Sequence, residues 1–173
     1  MTSGVMTLGW IVAGLRTFAT ALILCVGVPS AATAEERSPI VNFSNDDPDM
    51  AAAQAKARTT LAQFWKAHEN PQADEKGFAL KVAIPVGGNG GAEHIWFGDI
   101  ERHDGTITGV LGNVPKDVTS LRAGQRIEIA EDRISDWMFM RAGKIVGNQT
   151  MRPALKRMQP QEAARYRAML ADP

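Results

Sequence analysis

The spacing of apolar residues changes abruptly along this chain. Met50, Ala53, Ala57, Leu61, Phe64, Trp65 and His68 recur at three- and four-residue steps, the stripe of an amphipathic helix. Lys56, Arg58, Gln63 and Lys66 mostly fall off that stripe. Asp47 is placed to cap the helix, Pro48 suits its first position, Asp49 complements its dipole, and Asn70-Pro71 ends it. From Phe78 the period is two: Phe78, Leu80, Val82 and Ile84 alternate with Ala79, Lys81 and Ala83, the mark of a half-buried strand. His94–Arg102, Thr106–Leu111, Arg126–Ala130, Asp136–Arg141 and Lys144–Asn148 predict five more strands. Asp104-Gly105 and Ala142-Gly143 are tight-turn signals between neighbours. Short strands joined this way make an antiparallel sheet, and about six of them are expected to bend strongly or curl into a small barrel. Thr150–Met158 and Pro160–Leu170 predict C-terminal helices. The fold class is α+β, one domain over residues 47–173, with no internal repeat.

Ahead of the domain lies an address. Arg16 precedes an apolar run, Thr17–Val28, which Pro29-Ser30 breaks; Ala32-Thr33-Ala34 supplies small residues for a signal peptidase. Twelve helical residues span roughly 18 Å, too little for a hydrocarbon core of about 30 Å. Residues 1–34 therefore predict a signal peptide cut after Ala34, and residues 35–46 a flexible leader. The alternative is an uncleaved anchor that also uses Val5–Leu15, with Arg16 in mid-membrane. Export predicts a periplasmic or secreted protein. Cys25, the single cysteine of the 173 residues, leaves with the signal.

The mature 139 residues carry 18 basic and 19 acidic side chains. Such balance lacks the basic field of a nucleic-acid binder. Without cysteine there is neither a disulfide framework nor a cysteine-based zinc site. Gly87-Gly88-Asn89-Gly90-Gly91 runs into a strand, not a helix, so it reads as a hairpin loop and not a phosphate cradle. No histidine spacing suits a metal, and no segment is shaped for NAD or ATP: no cofactor is expected.

Candidate chemistry concentrates at strand ends. Glu93 and His94 begin the second strand, with His94 and Trp96 on one face and Glu93 and Ile95 on the other. His94 is either a general base or a residue that fixes the strand by bonding backbone or carboxylate. Asp136, just before Trp137, either orients His94 or caps the start of its strand. Glu93 with Asp136 is a further carboxylate pair, of little specificity. Trp65, Trp96 and Trp137 are core anchors unless exposed, when they would form stacking platforms. Asn113 and Asn148 lie in connections flanking the site, and Arg152 is the basic residue suited to hold a carboxylate in a cleft.

Several ordered strings resemble a known family: Lys56-Ala57-Arg58-Thr59-Thr60-Leu61, Phe78–Ile84, Glu93-His94-Ile95-Trp96, Gly109-Val110-Leu111-Gly112-Asn113-Val114-Pro115, Ile134-Ser135-Asp136-Trp137-Met138 and Gly147-Asn148-Gln149-Thr150-Met151-Arg152. From about Asp47 to Leu170 the chain resembles the YegJ-like family of small bacterial proteins, a domain of unknown function. The resemblance implies an exported or module-attached domain and supplies no catalytic residues. The glycine-rich loop is similar to an insertion relative to the family's shorter turn.

Two functions are weighed on these residues. The first is an exported non-enzymatic module binding an envelope protein or a cell-wall fragment through Glu93, His94, Trp96, Asn113, Asp136, Trp137, Asn148 and Arg152. The second is a periplasmic hydrolase with His94 as base, Asp136 to orient it and Arg152 to hold a carboxylate. The second lacks a nucleophile in a recognisable elbow.

Overall fold

The computed structural model describes residues 47–87, 91–112 and 114–171. The expected signal peptide, the leader, the centre of the glycine loop (88–90) and candidate Asn113 lie outside the described residues.

Asp47 caps the first helix, α1 (Pro48–Thr59), its Oδ1 accepting from Met50 N at 3.0 Å. One continuous helix was the expectation, but a second, α2 (Leu61–Glu69), starts after a break at Thr60. The cause is local. Thr59 Oγ1 and Thr60 Oγ1 donate back to Lys56 O at 2.9 and 2.8 Å, competing with the helix ladder, and Thr60 takes φ −106°, ψ 4°. The break serves the packing, because Ala57 O accepts from the Trp137 indole N–H at 2.9 Å.

The strands are β1 (Glu75–Pro85), β2 (Ala92–His103), β3 (Thr106–Leu111), β4 (Arg126–Glu128), β5 (Ile134–Arg141) and β6 (Lys144–Gly147). They form one antiparallel sheet in the order β4-β3-β2-β1-β5-β6. The sheet is open, not a closed barrel, because β4 and β6 stand at opposite margins. β4 is only three residues long, and β6 is covered by residues 170 and 171: Leu170 bridges Ile145 in parallel and Ala171 N donates to Ile145 O at 2.8 Å. Both hairpin turns take the left-handed pair that their sequences announce, Asp104-Gly105 at φ 47° and 81° and Ala142-Gly143 at 49° and 74°. Helices α3 (Met151–Leu155) and α4 (Pro160–Met169) complete the domain.

Alternation sorts the two sheet faces. Leu80, Val82, Ile95, Phe97, Trp137 and Phe139 are buried against Leu61, Phe64 and Trp65 of α2. Trp137 and Phe139 stack with centroids 6.0 Å apart. On the opposite face, Lys81 stands opposite Trp96 of β2 and Asp136 of β5, and Ala83 stands opposite His94. The β1–β5 register slips between Lys81 and Val82, which makes Ser135 the extra residue of a bulge beside Asp136.

Candidate functional site

Asp136 is wholly buried, and its carboxylate is saturated. Oδ1 accepts from Trp137 N (2.8 Å) and Gln149 N (3.1 Å); Oδ2 accepts from Thr150 N and Thr150 Oγ1, both at 2.7 Å. One side chain thus folds the 147–150 connection onto the start of β5. Thr150 precedes α3 but makes no side-chain cap there, because its hydroxyl serves Asp136.

Lys81 completes the arrangement. Its Nζ donates to Thr150 Oγ1 at 2.8 Å and lies 5.0 Å from the centre of the Trp96 ring. Desolvation pushes the Lys81 ammonium below the usual lysine range, and the Asp136 charge opposes the shift. Thr150 is the acceptor that Lys81 has among the described residues, so two of its three N–H groups remain available.

His94 is brought beside Ser135, not Asp136: Nδ1 to Ser135 Oγ is 2.8 Å. Ser135 Oγ also donates to Lys81 O at 3.2 Å. With the hydroxyl hydrogen used there, His94 Nδ1 carries the proton and donates, leaving Nε2 as the ring's acceptor. Ser135 is 2% exposed, which denies a substrate carbonyl access to its oxygen. Burial, then the nearby Lys81 charge, lowers the His94 pKa from its ordinary 6.5. A folded pKa below the unfolded one means that folding expels the proton, so stability rises with pH through the window ending near 6.5. Urea unfolding should therefore show wild-type protein losing stability between pH about 7.5 and about 5.5. His94→Gln should flatten that loss; an unchanged slope refutes the assignment.

The other candidates separate. Glu93 points away from His94 and clamps the 116–118 loop, accepting from Lys116 N (2.7 Å), Asp117 N (2.9 Å) and Val118 N (3.1 Å). Burial alone would raise the Glu93 pKa, but these amides outweigh it and the net shift is downward. Asn148, buried at φ 47°, donates its N–H to Trp137 O at 2.8 Å. Trp137 is a core anchor, 1% exposed, whereas Trp96 is half-buried on the Lys81 face. Arg152 turns toward the C-terminal helix: Nε donates to Gln149 Oε1 (3.2 Å) and Nη2 to Ala171 O (3.1 Å). Lys81, Ser135 and Gln149 escaped the sequence reading. A lysine at a polar strand position is ordinary, and only its small neighbours Ala79 and Ala83 hinted that it has room to lie against Trp96.

Among the described residues no three His, Cys, Asp or Glu side chains converge as a metal site, and no helix is long and apolar enough to cross a membrane.

Residues 47–171 match the DUF2314 family, described as an uncharacterized protein conserved in bacteria. The chain is 33% identical over 141 residues to the uncharacterized protein YegJ of Escherichia coli (strain K12), covering 82% of this chain and 90% of that protein. It is 30% identical over 137 residues to a putative ankyrin repeat protein of Neisseria meningitidis serogroup B, covering 76% of this chain but only 54% of that longer protein. No solved structure matches. With the match running from the Asp47 cap through α4 and taking in the Asp136-centred turn, the chain belongs to the DUF2314 family of bacterial proteins.

Proposed function

We propose that the protein is an exported, non-enzymatic binding module whose ligand, an envelope protein or a cell-wall fragment, docks on the sheet face of Lys81, Trp96 and His94. The observation that carries this reading is the Lys81 amine, half-buried against the half-exposed Trp96 with one protein acceptor among the described residues. A partly desolvated cation with donors to spare beside an indole gives a ligand carboxylate or carbonyl more than a fully hydrated lysine could. Export is supported by the order of Arg16, the apolar run and Ala32-Thr33-Ala34.

A periplasmic hydrolase using His94, Asp136 and Arg152 has less behind it. All four hydrogen bonds to Asp136 come from residues 137, 149 and 150, none from His94, and Arg152 lines a cleft with Leu155, Lys156, Arg167, Leu170 and Ala171 that includes neither His94 nor Asp136.

The test uses protein purified from bacteria expressing the full chain, immobilised beside folded Lys81→Met and Trp96→Ala variants. Each is offered envelope extract and isolated cell wall. The wild type should retain a stoichiometric partner or cell-wall fragment, and each variant about tenfold less, as expected when an anchoring residue is lost. Equal retention by all three proteins, or none by the wild type, overturns the reading.

A further inference from the structure

A second feature lies outside the Lys81 face. The ends of α3 and α4 enclose a cleft of about 380 Å³ lined by Arg152, Leu155, Lys156, Arg167, Leu170 and Ala171. Three of these side chains are cationic and none is acidic. Leu155 and Leu170 are buried and give the cleft an apolar floor, backed by Ala163.

The cations differ in how committed they are. Arg152 is held in place through Nε and Nη2, which leaves its Nη1 donors free among the described residues. Lys156 pairs with Asp49 at 2.7 Å, but both side chains are largely exposed, at 67% and 56%, so the pair is weak and easily exchanged. Arg167 has no hydrogen bond or ion pair among the described residues. Basic residues often serve a helix C-terminus by bonding its last carbonyls. Arg167 bonds none of them: Leu170 N takes that role, donating to Tyr166 O and Arg167 O at 3.3 Å.

We infer that this cleft is a binding site for a small organic anion, an oxyanion group carried on an apolar body. Planar guanidinium forks match the paired oxygens of a carboxylate, and Arg152 is pre-oriented by Gln149 and Ala171 to present one. The leucine floor removes an apolar body from water, and the cleft volume falls within the usual range for small-molecule sites. The inference does not depend on the Lys81 face, with which the cleft shares no lining residue.

The experiment titrates protein purified from cells expressing the full chain with hexanoate, hexanol and inorganic phosphate. It follows thermal unfolding and the arginine Nε–Hε NMR signals. Hexanoate should saturate below about 10 mM, raise the unfolding temperature and shift the Arg152 and Arg167 signals. Hexanol, lacking the charge, and phosphate, lacking the apolar body, should each bind about tenfold more weakly. Arg167→Gln should leave unliganded stability nearly unchanged, because no hydrogen bond or ion pair among the described residues is lost, and weaken hexanoate about tenfold. Absence of saturation, equal binding of hexanoate by Arg167→Gln, or equal binding of either control ligand overturns the inference.

Discussion

Replacing Asp136 with alanine should lower the unfolding free energy by about 3–5 kcal/mol, the range for removing one partner from a buried charged network. Three backbone amides and the Thr150 hydroxyl lose their acceptor together, in a place where water cannot replace it. The damage reaches further than the hydrogen bonds. Thr150 is also the acceptor for Lys81, so the amine that gives the open sheet face its character loses its anchor. Asp136→Asn preserves volume but turns an NH₂ group toward two of those donors, and it should recover little of the loss. Urea unfolding followed by circular dichroism measures both variants. A cost below about 1 kcal/mol for the alanine variant, no more than one ordinary hydrogen bond, would show that the carboxylate does not organise this turn.

Gly147→Ala should be the other severe change, about 2–5 kcal/mol when the costs of overpacking and of left-handed backbone strain are combined. Gly147 has φ 82°, and a Cβ there would stand 2.3 Å from Trp137 O and 2.6 and 2.7 Å from its ring carbons. Neither neighbour can give way, because Trp137 is fixed by Ala57 O and stacked on Phe139. Gly143→Ala is the control: its φ is 74°, but no heavy atom lies within 4 Å of the added carbon. It should cost about 1 kcal/mol, the backbone contribution alone. Equal losses in the two variants would show that close approach to Trp137 contributes nothing.

What the sequence revealed, and what it hid, follows from the range of the forces involved. Alternation exposed β1, β2 and β3 because each buries one face only, and the left-handed pairs at Asp104-Gly105 and Ala142-Gly143 marked their turns. The break at Thr60 was hidden, since threonine hydroxyls that bond back to Lys56 and Ala57 leave the apolar stripe intact. Sheet closure was hidden too, because it depends on whether β4 and β6 meet, a contact no local pattern encodes. At the site, Asp136 was legible as a cap at the start of a strand, but two of its partner residues lie thirteen and fourteen positions downstream. Ser135 took the place beside His94 that spacing had suggested for Asp136, because the bulge advances the chain by one residue. Arg152 was singled out alone; Lys156 follows it by one helical turn, and Arg167 joins them only when α3 meets α4.

The last residues of the described chain have a consequence for solubility. β6 is the outermost strand, and residues 170 and 171 lie along it in parallel, tied down by Lys144 Nζ to Ala168 O and by Arg152 to Ala171 O. Stripped of that strip, Ile145 would offer its outward-facing amide and carbonyl to the same strand of another molecule, the template from which intermolecular β-ladders grow. A protease cut in the turn at 156–159 would release α4 and uncover this template. Loss of residues 170 and 171 from this edge should be seen first as fibres or precipitate.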